Sequence, residues 1–207
     1  MVKVLIILGI VAVVALILWV IWVVYSRITA KNILNNSRGK KSFAFSYLSL
    51  RFGRRRTLKN VKFPIRNPAS KNGVSLVDIG VIFLNRGGIF VINVVPGSGY
   101  VDNANGEVWT RTFNDKFYQF PDPFAQNIIG VKAVKALLRS EHIDNIPIHN
   151  IVLFTGRKVK FARRLNGLIT ADELTPFMID LNKDRFLKGS EIRSMVKLLN
   201  RKRIRTK

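Results

Sequence analysis

The sequence predicts a mixed α/β domain carried behind a single membrane-spanning helix. Three stretches predict it. Val4 to Tyr25 contains neither a charge nor a proline, enough helix to cross a hydrocarbon layer ~30 Å thick. Val74 to Val95 consists of two β-branched and aromatic runs around Asn85-Arg86-Gly87-Gly88, the composition of a hairpin and its turn. Asp122-Pro123 opens a helical apolar stripe, and the compact run Ile148 to Phe154 follows Pro147, so strand, helix and strand succeed one another as in a crossover unit.

The N-terminal apolar run exceeds the ~7–15 residues of a signal-peptide core, and no Ala-x-Ala-like site follows it, so residues 1–25 read as an uncleaved anchor. Lys3 stands alone before it, whereas Arg27, Lys31, Arg38, Lys40 and Lys41 come after. The positive-inside rule therefore predicts a single-pass protein of the cell membrane with its C-terminal domain cytoplasmic. Residues 26–41 form a basic juxtamembrane linker, 42–187 one globular domain, and 188–207 a basic C-terminal helix and tail.

Within the domain, Phe45, Leu48 and Phe52 fall at i, i+3 and i+7, which favours a short helix over Ser42 to Phe52 ended by Gly53, while the alternation of Phe43, Phe45 and Tyr47 keeps a strand open. Thr57 to Ile65 reads as a strand, with Pro64 marking an edge position or the strand's end. Beyond the central hairpin, Pro96-Gly97-Ser98-Gly99 leads into a smaller one, Tyr100-Val101 against Val108-Trp109-Thr110. Asp122 caps a helix from Pro123 to about Arg139. Ile148 to Phe154 and Gly167 to Ile169 are strands, Thr170 to Glu173 is a capping box opening a helix to about Leu181, and Ile192, Met195, Val196 and Leu199 mark a last helix. Trp109 is expected to pack on its own sheet, and His142 and His149 to be ordinary surface residues.

Charge is the strongest global signal. Residues 1–77 carry fourteen Lys or Arg and no acid, residues 78–207 twenty-one basic and twelve acidic residues, for a formal net charge of +23. Such a field attracts polyanions, either nucleic acid or anionic headgroups, and says nothing about fold. The candidate contact residues are Arg51, Arg54, Arg55, Arg56, Lys59 and Lys62; Arg157, Lys158, Lys160, Arg163 and Arg164; and, within the basic tail from Arg193, Arg201, Lys202, Arg203 and Arg205. Phosphate contact through them would be largely sequence-independent and salt-sensitive. The absence of cysteine excludes zinc-thiolate sites and cysteine nucleophiles.

The order helix, strand, hairpin, helix, strand is the core layout of the restriction-endonuclease-like fold, a mixed sheet flanked by helices. Residues 74–140 resemble the nuclease-related domain (NERD) family more specifically. The resemblance is carried by Val77-Asp78 in the first hairpin strand, Gly88 to Ile92 opening the second, Gly97 and Gly99 after it, Trp109 in the small hairpin, and Asp122-Pro123-Phe124-Ala125-Gln126-Asn127 at the start of the helix. In that family the second strand resembles Val-Ile-Glu-Val-Lys; the Asp and Glu hold a divalent cation, and the Lys helps to position or activate the attacking water. Phosphodiester displacement needs a hard cation held by oxygen ligands. Here Asn93 stands at the Glu position and Val95 at the Lys position, and the acid that the family's N-terminal helix usually adds has no counterpart before residue 78. The remnant set is Asp78, Asn93, Val95 and Gln126.

These features predict a membrane-anchored nuclease-fold protein without a metal cofactor or nuclease activity, binding DNA, RNA or a ribonucleoprotein such as the ribosome through its basic surfaces. The competing expectations are a Mg²⁺-dependent nuclease and a scaffold subunit of a membrane-attached protein complex.

Overall fold

The computed structural model describes residues 16–21, 24, 42–66, 70, 73–104 and 106–204. Residues 16–21 and 24 are helical; the rest of the expected anchor, the linker 26–41 and Arg205 lie outside the described residues. Among the described residues no helix is long and apolar enough to cross a membrane.

The domain opens with helix α1 (Phe43–Leu48), followed by a π-helical turn (Ser49–Gly53) and a 3₁₀ turn (Arg54–Arg56). The helical spacing thus prevails over the competing alternation, because Phe43, Ala44 and Leu48 fall on one buried face. Strands β1 (Thr57–Arg66), β2 (Val74–Asn85) and β3 (Gly88–Val95) come next, then β4 (Gly99–Asp102), β5 (Val108–Phe113) and β6 (Lys116–Pro121). Helix α2 (Pro123–Ser140), strands β7 (Ile148–Phe154), β8 (Val159–Phe161) and β9 (Leu168–Thr170), and helices α3 (Leu174–Leu181) and α4 (Gly189–Lys202) complete it.

Two sheets result. The larger runs β1-β2-β3-β7-β9, antiparallel across its first three strands and parallel across its last three. β1, with Pro64, is its edge, as expected, and the parallel β3–β7 pair with α2 between them is the expected crossover. One face of this sheet packs α2 and α4: Ile79, Ile82, Leu84, Val91, Val134, Leu138, Ile192 and Leu199 share a cluster. The other packs α1 and α3 through Phe43, Leu48, Phe83, Phe90, Leu153, Leu174 and Met178. Burying one such side chain contributes about 1.5–3 kcal/mol, so α4 is a layer of the domain core.

A separate sheet, β6-β5-β4-β8, departs from the single sheet anticipated. β5 pairs with β4 through Thr110 to Thr112, so that of the expected Val108-Trp109-Thr110 only Thr110 faces β4, opposite Asp102, while Trp109 lies opposite Phe120 of β6. Trp109 is buried against Phe120 and Phe124, and the cluster around it, with Val101, Val152, Phe154 and Leu168, joins the two sheets.

The central turn tolerates no side chain at its glycines. A Cβ on Gly87 would collide with the Leu181 carbonyl, and Gly88, at φ 128°, lies against the Pro147 carbonyl. His149 is half-buried, contrary to its expected surface place. Its ring stacks on Phe90 at 4.6 Å, and its Nε2 lies 3.0 Å from the Gly87 carbonyl, holding the same turn.

Candidate functional site

The β2–β3 ladder runs from Asn85–Gly88 to Val81–Ile92 and stops there. Beyond that point β2 pairs only with β1, through Asp78–Lys62, and β3 only with β7, through Asn93–Val152 and Val95–Phe154. The two strands therefore part, and a cleft opens with Asp78 and Gly80 on one wall and Asn93 and Val94 on the other, closed by Ser42, Phe45, Lys59 and Asn60. Asn60, at φ 48°, interrupts the β1–β2 ladder opposite Gly80. Across this irregularity Ile79 and Ile82, three residues apart, reach the same core cluster, so the pleat is broken just beyond Asp78, which itself stays paired with Lys62.

Asp78 has a 65% exposed side chain, with the Lys62 ammonium 3.8 Å from its Oδ2. An exposed pair of this kind contributes about 0–1 kcal/mol. Lys59 extends over the Phe45 ring, its Nζ 5.0 Å from the centroid, so two ammonium groups border the carboxylate's cleft. Asn93 is half-buried and donates from Nδ2 to the Pro123 carbonyl at 3.1 Å, at the first residue of α2. Val95 packs against the cluster around Trp109. Gln126 is exposed and lines a different depression, with Glu107, Gln119 and Ile129. The structure therefore brings Asp78 and Asn93 to one cleft and leaves Gln126 outside it. Among the described residues, His, Cys, Asp and Glu nowhere gather in groups of three or more able to hold a metal ion.

Sequence reasoning gave Asn127 no role beyond its place in the stretch opening the helix, yet it holds the start of α2 in place. It is buried, and its Nδ2 donates to the Val91 carbonyl and to Asn150 Oδ1 at 2.7 Å each, with a longer contact of 3.3 Å to the Ile151 carbonyl. Asn150 in turn donates to the Phe124 carbonyl at 3.2 Å. The signal was present in the spacing: Phe124, Asn127, Val131 and Val134 share one helical stripe, on which Gln126 does not lie.

The basic clusters separate in space. Arg54 to Arg56 form the 3₁₀ turn preceding β1, and the tail returns to that strand, with the Ile204 amide donating to the Lys62 carbonyl at 2.9 Å. Arg51 to Lys62 and Arg201 to Arg203 thus meet along one edge. Lys202 binds Glu141 at 2.6 Å, with Arg201 at 3.8 Å, and the hydrogen bond from Lys202 leads the effects that hold the Glu141 carboxyl below its ordinary range. The segment from Arg157 to Arg164 belongs to the second sheet. There Arg164 makes a bidentate pair with Glu173, at 2.8 and 3.0 Å, and its guanidinium lies over Phe161.

The chain is a mixed α/β domain of two mixed sheets with helices, the larger sheet lying between helical layers and its central hairpin splaying beside an aspartate. The nuclease-related domain family model matches residues 36–155, more than half of the chain, and the chain belongs to that family. No curated protein and no solved structure matches it.

Proposed function

We propose that this protein is a membrane-anchored member of the nuclease-related domain family that binds nucleic acid, free or as ribonucleoprotein, at the cytoplasmic face without cleaving it. The observation that carries this reading is the joining of two basic segments, Arg51 to Lys62 and Arg201 to Arg203, along the β1 edge by the Lys62–Ile204 bridge, in a chain with no acid before Asp78. Charge of one sign gathered from both ends of the domain suits a phosphate backbone.

The cleft does not fit a divalent cation. A hard cation of the Mg²⁺ or Ca²⁺ type is held by several oxygen ligands; this cleft offers one carboxylate, already facing the Lys62 ammonium, and neutral oxygens such as that of Asn93. An amide is a weak, uncharged ligand, and Val95 has no proton to give or take. Asp78 serves here as the counter-charge of Lys62.

The test is binding and cleavage together, with the full-length protein in detergent, plasmid, single-stranded DNA and RNA, and Mg²⁺ or Mn²⁺. The expected result is binding that weakens linearly in log–log form with rising salt, without turnover. Cleavage abolished by Asp78→Ala would overturn the inactive assignment. An absence of binding at moderate salt would instead favour a scaffold meeting acidic protein partners.

A further inference from the structure

We propose that the outer face of the β6-β5-β4-β8 sheet is a platform for single-stranded nucleic acid, on which Tyr100 and Phe117 each stack a base while Lys160 meets a phosphate. This rests on the nucleic-acid reading above and assigns it a second, distinct site.

The sheet register carries the argument. Lys160 lies opposite Tyr100, Tyr100 opposite Thr112, and Thr112 opposite Phe117, so the four residues form one row across β8, β4, β5 and β6. Residues directly opposed in a sheet project from the same face. The neighbouring positions Val101, Trp109 and Phe120 point the other way, into the cluster that joins the sheets. The row therefore occupies the uncovered face, where Tyr100 is 49% and Phe117 62% exposed.

Polar side chains surround the two rings in the two rows nearest Lys160, and the exposed apolar pair Val108–Pro121 lies one row further on. The two rings are interleaved with Thr112, and the next row is Asp102, Thr110 and Gln119, all polar. Asp102 is the one acid of these two rows, and its carboxylate accepts the Ala104 amide at 3.0 Å. Lys158 and Lys160 supply cations at the β8 edge. Aromatic rings separated by hydroxyls and bordered by ammonium groups match the stacking-and-phosphate arrangement of single-strand binders. Tyr100 and Phe117 stand two strand spacings apart, roughly 10 Å at ~4.8 Å per spacing. A duplex has its base faces occupied by its own stacking, so only an unpaired strand can use such rings.

The experiment uses full-length protein in detergent, with labelled oligothymidylate, oligouridylate and a duplex of equal length, read by fluorescence anisotropy. Replacing both rings, Tyr100→Ala with Phe117→Ala, is expected to weaken single-strand binding at least about tenfold and duplex binding less than about twofold. Lys160→Ala should lower the salt slope for the single strand alone. Ultraviolet crosslinking of thio-substituted oligouridylate to the unaltered protein should yield adducts at Tyr100 or Phe117. Equal losses on single strand and duplex, no loss on either, or adducts only elsewhere would overturn the platform. If Arg54→Ala, Arg55→Ala and Arg56→Ala together weaken binding while the two ring substitutions do not, the platform fails and the basic-edge reading survives. If the unaltered protein binds no nucleic acid, both fail.

Discussion

Asn127 and Asn150 are joined side chain to side chain at 2.7 Å, in the seam between α2 and the parallel strands β3 and β7. The same Asn127 amide satisfies the Val91 carbonyl, so its removal strands acceptors where water has little access. Asn127→Ala is expected to cost about 1–3 kcal/mol, seen as a lower urea midpoint with an unchanged slope. Gln126→Ala, one residue away and exposed, should leave the midpoint within about 0.5 kcal/mol of the parent.

The cleft between the parted strands gives a second prediction. Because Asp78 and Asn93 line opposite walls of it, Asn93→Glu adds a carboxylate to the cavity that holds the first, and Lys62→Ala withdraws the cation facing it. The double variant should bind Mn²⁺ in calorimetry where the unaltered protein does not. Adding Val95→Lys to this background asks whether a proton-handling group restores cleavage. Since Val95 packs beside the Trp109 cluster, that third change should also lower the melting temperature. A double variant that takes up no metal would show that the walls stand too far apart to share a cation.

Acidification gives a third. Burial pushes the Glu173 carboxyl up, but hydrogen bonds from Arg164 and from the Thr170 amide and hydroxyl outweigh it and hold the group below its ordinary 4.5. With the folded value depressed, the stabilisation is fully present above the unfolded value and is lost as pH falls through the folded one. Stability should therefore decline as pH drops below about 4.5, and Arg164→Met should flatten that decline. Denaturant midpoints measured at several pH values for both proteins check it.

A fourth prediction concerns the basic edge. Neutralising Arg54, Arg55 and Arg56 to alanine, or Arg201 and Lys202, should each reduce the slope of log affinity against log salt, by about 0.9 on duplex DNA for every phosphate that the variant no longer neutralises. The Arg201 and Lys202 changes should also loosen α4, because both side chains reach Glu141. The two effects separate in a melting curve taken without nucleic acid.

Much of the fold could be read from residue order because local chemistry and tertiary demand agree in it. The Asn-Arg-Gly-Gly turn, the Asp122 cap with its 2.7 Å bond to the Phe124 amide, and the apolar run of β7 each satisfy local backbone needs and core burial at once. At Thr170 only half of the expected capping box forms: the Glu173 carboxylate accepts the Thr170 amide, but the Thr170 hydroxyl donates to that same carboxylate instead of accepting the Glu173 amide, and regular helix begins only at Leu174. Two strands escaped notice for a physical reason. β8 is three residues in a basic stretch and exists through its parallel pairing with β4, while the largely exposed face of β6 hides the alternation that would announce it. Of the site, composition gave the residue types; the parting of β2 from β3, which joins Asp78 to Asn93 and excludes Gln126, lies in long-range register that no window of sequence contains.

The return of the chain's end to β1 has a bearing on solubility as well as on charge. β1 is an edge strand, and an unpaired edge is a template on which a second copy can add itself. The Ile204–Lys62 bridge occupies part of that template, and the lysines and arginines around it repel an identical neighbour. Trimming the tail would remove the cover and part of the repulsion, leaving the charges of Arg51 to Lys62 on that edge, so a protease acting after Leu199 would leave a protein more prone to self-association through its sheet edge, detectable as rising light scattering.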